Sequence, residues 1–272
     1  MPRPETLLAT VRRAWHQPVA DIRAICRGVH ASRWEATAGD HRFTLTRAPA
    51  KARASLAAGL SALDRLIERG IGASRAERTV HGTLTVETAV SVLALGRRAE
   101  GRPLHPADPV DARWWGCLLG AAHRALDGFD HPGLHHPAGW HGLDPGAPHL
   151  PPETRDAVAR AVAAVTRLCV TDRLTYGVLH RDPSAPLFLI DPATGRTGVL
   201  GWGPAGTGPL VYDLAAAVVA ADGPEATAEL VDAYARAGPV HRDEIEAALP
   251  VLVELRRAAL AARRPVIRAR PS

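Results

Sequence analysis

The most specific grouping of chemistry-bearing residues lies between positions 179 and 215. It runs Leu179-His180-Arg181-Asp182, then two short apolar runs, then Gly201-Trp202-Gly203 and Tyr212-Asp213-Leu214-Ala215. A loop aspartate such as Asp182 can orient a hydroxyl and accept its proton; the same residue can also simply cap a turn. His180 reads as a residue that packs and hydrogen-bonds the backbone. A second grouping is His131, His135, His136, His141 and His149. These histidines invite a metal, but they lack the helical or Cys-paired spacing of zinc sites, and the Pro and Gly between them indicate surface loop. Cys26, Cys117 and Cys169 are odd in number and far apart, which suits three buried free thiols better than disulfides or a metal site. There is no Gly-x-Ser-x-Gly elbow for hydrolase chemistry.

The elements that must position these groups can be read from periodicity. The 272 residues suffice for one large domain or two small ones, and 46% hydrophobic against 22% charged residues argues against disorder. Helix is expected over 5–16, then strands over 21–27, 33–38 and 42–47, with Gly39-Asp40 turning between the last two. Leu56, Leu60, Leu63, Leu66 and Ile67 give 52–69 a helical stripe that stops at Gly70. Strands over 75–81 and 84–95 complete a small sheet. Beyond residue 100 the pattern is mainly helical: 112–126, 153–170, 210–221, 225–237 and 241–262, with a hairpin formed by 187–190 and 198–200. The reading is an α+β chain with a small β-rich lobe at 1–98 and a helical lobe at 99–272, the latter carrying the 179–215 block.

Composition excludes several partners. Positive charge exceeds negative by 33 to 28, but the arginines are dispersed among carboxylates and aromatics are 4%, so nucleic acid is not expected as a partner. The basic stretch from Arg256 to Arg270 reads as a solvated end. No apolar run approaches the ~20 residues of a membrane span, so no membrane partner is expected. Met1-Pro2-Arg3-Pro4-Glu5 shows no charged-then-apolar signal pattern, which gives the expectation of a cytoplasmic protein. The chain has one lysine, Lys51, which reads as a solvated helix-start residue, and no asparagine at all.

The 179–215 block resembles the catalytic core of the aminoglycoside phosphotransferase and choline-kinase-like family, relatives of protein kinases. The family pattern is His-Gly-Asp, four residues, Asn, a hairpin, Ile-Asp-Trp and Tyr-Asp-Leu-Ala. Gly101-Arg102-Pro103-Leu104 sits where that family's interlobe connector ends, and Leu118–Leu126 with His123 is similar to its Leu-x-x-x-His helix. The resemblance implies a two-lobed protein-kinase-like fold with ATP as cofactor and Asp182 as catalytic base. It implies a bracing carboxylate at Asp213 and core-filling by Trp202. It also places the histidine loop in the acceptor-recognition region, where contact with a substrate or partner is expected. Phosphate-binding roles fall to Arg47, one residue from Thr46 in an ambiguous register, and to Gly28 in the loop 27–32.

The chain departs from that pattern where the chemistry is most demanding. Leu187 replaces the Asn five residues after Asp182, and Gly201 replaces the metal-binding Asp before Trp202. Neither side chain has an oxygen, and magnesium takes hard oxygen donors in near-octahedral geometry. Asp191, the nearest spare carboxylate, falls at the hairpin turn, and the helix glutamate of the small lobe aligns with Gly59. These departures argue against a magnesium site. They give the expectation of a catalytically degenerate, pseudokinase-like member serving as a binding or regulatory module. Two alternatives remain: an active ATP-dependent phosphotransferase acting on a small-molecule hydroxyl through Asp182, and a nucleotide-binding protein with different chemistry in the same cleft.

Overall fold

Apolar residues spaced by four along Leu7, Val11 and Trp15 form the stripe that docks the first helix onto a sheet. The computed structural model describes residues 4–27, 31–134, 141, 143–147, 150–171, 174–203 and 205–263. The first lobe contains α1 (Pro4–Trp15), β1 (Asp21–Arg27), β2 (Ser32–Ala38), β3 (His41–Pro49), α2 (Arg53–Glu68), β4 (Arg75–Ala76), β5 (Thr85–Glu87) and β6 (Ser91–Arg97). The strands run antiparallel in the order β1-β2-β3-β6-β4, with β5 also pairing β6. Strand alternation sorts the sheet into two faces. Trp34, Phe43, Leu45, Leu93 and Leu95 pack with α1, while Ala48, Val92 and Ala94 pack with Leu56 and Leu60 of α2.

The second lobe begins with β7 (Arg102–Pro103) and α3 (Pro109–Ala125), followed by α4 (Pro152–Thr171). Asp108 caps α3 by accepting from Val110 N, and the helix opens on Pro109, so its start is chemically marked. Then come β8 (Tyr176–Leu179), β9 (Phe188–Ile190), β10 (Thr197–Val199) and β11 (Gly206–Pro209), then α5 (Val211–Ala220), α6 (Pro224–Ala237) and α7 (Arg242–Arg263). Its core includes Trp115, Phe188, Trp202, Leu214, Leu230 and Leu255, and it takes in Ala58, Leu63 and Leu66 from α2, so that helix ties the lobes together. The connector is fixed by Arg102, whose guanidinium pairs bidentately with Asp111 at 2.6 and 2.7 Å.

The helices and strands expected from the sequence form within a few residues of their expected ends, with two differences. The expected strand 84–95 is a hairpin, β5 and β6, because Thr88 turns the chain: its Oγ1 accepts from Ser91 N at 3.0 Å. The expected strand 75–81 pairs only at Arg75 and Ala76, after which Thr79 and Thr83 close a turn. Two cysteines are less buried than expected: Cys117 is free and half-buried, and Cys169 is free and exposed, while the side chain of Cys26 lies outside the described residues. No described helix is long and apolar enough to cross a membrane.

Candidate active site

The loop after β8 is held from beneath by one carboxylate. Asp213, in the first turn of α5, is fully buried and accepts the backbone N–H of His180 on Oδ2 at 2.5 Å and of Arg181 on Oδ1 at 2.8 Å. His123 Nε2 lies 3.2 Å from the same Oδ2, and its Nδ1 lies 2.8 Å from the Tyr234 hydroxyl. An ionised carboxylate only accepts, so Nε2 carries the proton and Nδ1 accepts from Tyr234. Burial pushes the Tyr234 hydroxyl well above its ordinary pKa, which keeps it a donor. The brace holds Arg181 at φ +69°, left-handed backbone that costs a side-chain-bearing residue about 1–2 kcal/mol. Trp202 is fully buried, with its ring 5.0 Å from that of His180. His180 is itself fully buried; burial first and the Arg33 charge second depress its pKa to about 4, against the opposing pull of Asp213 and Asp182, so the ring is neutral at pH 7.

Asp182 is almost fully buried between two arginines. Arg256 Nη2 donates to Oδ1 at 3.0 Å and its Nη1 to the carbonyl of Arg181 at 3.2 Å. Arg33 Nη1 approaches Oδ2 at 3.6 Å from the other lobe. Arg256 is therefore not part of a solvated basic end. It lies on the buried stripe of α7 beside Leu252, Leu255 and Ala259, and that helical spacing was the signal that could have found it. Arg33 carried no such signal, because an arginine on an alternating strand reads as a solvent-facing residue.

Register settles which residue of β3 faces this corner. Arg33 stands directly opposite Thr46, and Ser32 opposite Arg47. Arg47 pairs onward with Leu93, whose side chain packs with α1. The structure thus brings Thr46 to the side of the 180–182 loop and puts Arg47 on the opposite face, away from Asp182, because one residue of register reverses the side. Thr46 is buried and uncharged, so no basic side chain from β3 reaches Asp182. Gly28, the other expected phosphate contact, lies outside the described residues.

The two expected metal positions offer no donor. Leu187 is fully buried in the second lobe's core. Gly201 adopts φ +43°, and a Cβ built there would lie 2.8 Å from Arg33 Nε and 3.6 Å from Thr46 Oγ1. The nearby Gly203 is equally tight, with a built Cβ 2.5 Å from Arg33 Nη2. Hydrocarbon, glycine and a guanidinium do not make a magnesium site. Asp191 is committed to the hairpin turn, accepting from Ala193 N at 3.0 Å. Gly59 cannot be replaced by the expected glutamate without rebuilding, since a Cβ there would lie 2.0 Å from the Gly203 carbonyl oxygen. Lys51 is exposed at the turn before α2.

Two positions along β2 from Arg33, on the same face, Glu35 receives Arg98 from the connector, Arg23 at 2.8 Å and Arg42 at 3.8 Å. Burial alone would raise the Glu35 pKa, but the Arg23 hydrogen bond and the surrounding arginine charges more than offset it and lower it. The face of the sheet opposite α1 therefore carries buried charge at both ends. In the histidine loop, His131 and His141 accept from Gly133 N and Leu143 N, at 3.0 and 3.1 Å. His135, His136 and His149 lie outside the described residues, and among the described residues no cluster of three or more His, Cys, Asp or Glu side chains forms a metal cage.

Comparisons with known proteins agree with this architecture. A search of curated proteins finds no match. Among solved structures, amicoumacin kinase in complex with AMP-PNP, calcium and Ami superposes with a TM-score of 0.72 at 14% identity, over 95% of this chain and 85% of that one. A microcompartment-associated aminopropanol kinase gives 0.71 at 17% identity, covering 95% and 88%. An aminoglycoside phosphotransferase from Streptomyces rimosus gives 0.61 at 20% identity, covering 94% and 99%. At such identities these likenesses establish the kinase-like fold. The family model described as the phosphotransferase enzyme family matches residues 21–248, most of the chain and all of the site just described except Arg256, and this protein belongs to that family.

Proposed function

We propose that this protein is a catalytically degenerate, pseudokinase-like member of the phosphotransferase family, acting as a binding or regulatory module. The observation that carries the reading is the donor set around Asp182: Leu187 and Gly201 supply no oxygen, and the carboxylate is engaged by Arg256 and Arg33. Phosphoryl transfer depends almost wholly on positioning and charge neutralisation. Removing a single preorganised electrostatic group from an acyl-transfer site costs about 10²–10³ in rate. Here two metal ligands and the β3 cation are replaced together.

A second reading is favoured by the intact brace. Asp213 still fixes the backbone of His180 and Arg181, so Asp182 keeps a defined position from which to accept the proton of a small-molecule hydroxyl, with ATP as phosphoryl donor. One titration separates the two readings. In the degenerate protein, ATP with magnesium raises the melting temperature no more than ATP with EDTA, and no acceptor-dependent ATP consumption is detected. Magnesium-dependent stabilisation together with ATP consumption that Asp182→Ala abolishes establishes the enzyme instead.

A further inference from the structure

We propose that Arg33 is an internal cation that has taken the place of a divalent metal beside Asp182, and that glycine at position 201 is its structural counterpart. The inference deepens the degenerate reading above and rests on it. The guanidinium is fully buried, and it lies where the side chain of residue 201 would project: a Cβ there would meet Nε at 2.8 Å and Cδ at 3.2 Å. Gly203 borders the same guanidinium, since a Cβ built there would lie 2.5 Å from Nη2. Nη1 is 3.6 Å from Asp182 Oδ2. A carboxylate at 201 and the arginine stem thus compete for one volume. A divalent ion in that corner would also stand against a fixed positive charge in a poorly screened site.

The arginine is positioned by the sheet and not by the catalytic loop. Its strand partner Thr46 lies opposite it in register, with Oγ1 3.6 Å from the same built Cβ. A residue of β2 therefore supplies across the lobes the positive charge that an ion would bring from solution. Unlike an ion, it cannot be removed by chelation. The loss of the metal ligand and the gain of the arginine are two halves of one exchange, so restoring the ligands alone does not restore the site.

The test is a set of variants read with Mn2+ alone as the probe, without nucleotide. With Arg33 retained, Gly201→Asp/Leu187→Asn should lower the melting temperature and show no Mn2+-dependent rise. Adding Arg33→Ala should create an EDTA-reversible rise and tighten Mn2+ binding by at least about tenfold, a modest demand for removing a full charge at contact distance. Equal Mn2+ binding with and without Arg33 overturns the proposal. Should the multiple variants fail to fold, Gly201→Ala gives the same answer by stability. Its loss of melting temperature should be large with Arg33 present and reduced by at least half in Arg33→Ala, where Asp182 retains Arg256. An equal loss in both backgrounds overturns it. The failures are distinguishable: Mg2+-dependent ATP turnover by the unmodified protein defeats the degenerate reading, whereas absence of coupling between 33 and 201 defeats only the exchange.

Discussion

The brace under the 180–182 loop and the corner above Asp182 are built in opposite ways, although they share the same carboxylate-bearing loop. Beneath, Asp213, His123 and Tyr234 form a closed chain of hydrogen bonds in which each group has a partner of the correct type. Above, Leu187, Gly201, Gly203 and Gly59 offer no polar side chain, and the space is filled by Arg33 and by direct backbone approach of α2 to the Gly203 carbonyl. The lower region serves the fold whatever the chemistry, because Asp213 satisfies the buried backbone donors of His180 and Arg181. The upper region carries close packing and a charge from the other lobe in place of such a network, so the scaffold of the loop and the electrostatics around Asp182 are set by different residues.

The largest test of that contrast is to cut the brace. Asp213→Ala leaves the His180 and Arg181 amides and the His123 proton without an acceptor in a fully buried site. Removing one partner of such a network costs about 3–5 kcal/mol. Denaturant unfolding should show that loss, on a scale that threatens the whole stability of a domain. A loss under 1 kcal/mol means the loop is held by something other than this carboxylate.

Much of this division was legible in the sequence. The Leu179–Asp182 block, the hairpin, Gly201-Trp202 and Tyr212-Asp213 located the loop and the carboxylate beneath it, because these residues are close in sequence and their spacing is set by one strand, one hairpin and one helix start; Tyr234, which completes the brace through His123, carried no such signal. The replacements at 187 and 201 were visible as absences. What replaced them was not. Arg33, Arg98 and Arg256 meet Asp182 or Glu35 across 60 or more residues of chain, and only tertiary packing reveals that Arg33 faces the other lobe and that Glu35 is buried among arginines and not in water. Arg47 was misplaced for the reason that makes strands hard to read: both it and Thr46 are compatible with the pattern, and only the register against β2 and β6 assigns their faces.

An intermediate effect comes from the residue that touches both regions. The His180 pKa in the folded protein is about 4, below its ordinary 6.5, chiefly through burial and then through Arg33. Between those values the unfolded chain binds the proton and the folded protein does not, so stability is full above pH 6.5 and falls as pH drops toward 4. Linkage makes the loss up to about 3 kcal/mol by pH 4. His141, also lowered by burial, contributes in the same sense, so the comparison must be with His180→Leu, whose stability profile should lose the larger part of this slope. An unchanged slope would place the acid sensitivity elsewhere. In Arg33→Ala the window should narrow, because one of the two influences depressing this histidine is gone.

The smallest effect asks whether the brace stores strain. Arg181 stands at φ +69° in the position where the related pattern carries glycine. Its buried side chain lies against Gly206, where a built Cβ would be 3.2 Å from its Cδ. Arg181→Gly mixes relief of backbone strain with loss of that packing, so its net sign says little alone. Arg181→Ala loses the same packing and keeps the strained backbone. The difference between the two variants isolates the strain: glycine gains about 1–2 kcal/mol from the left-handed backbone and gives back about 0.4–1 kcal/mol through its freer unfolded chain. Glycine should therefore be the more stable by roughly 0.5–1 kcal/mol, the balance of those two figures. If alanine equals or exceeds it, the two Asp213 bonds do not force this conformation, and the brace is looser than its hydrogen bonds imply.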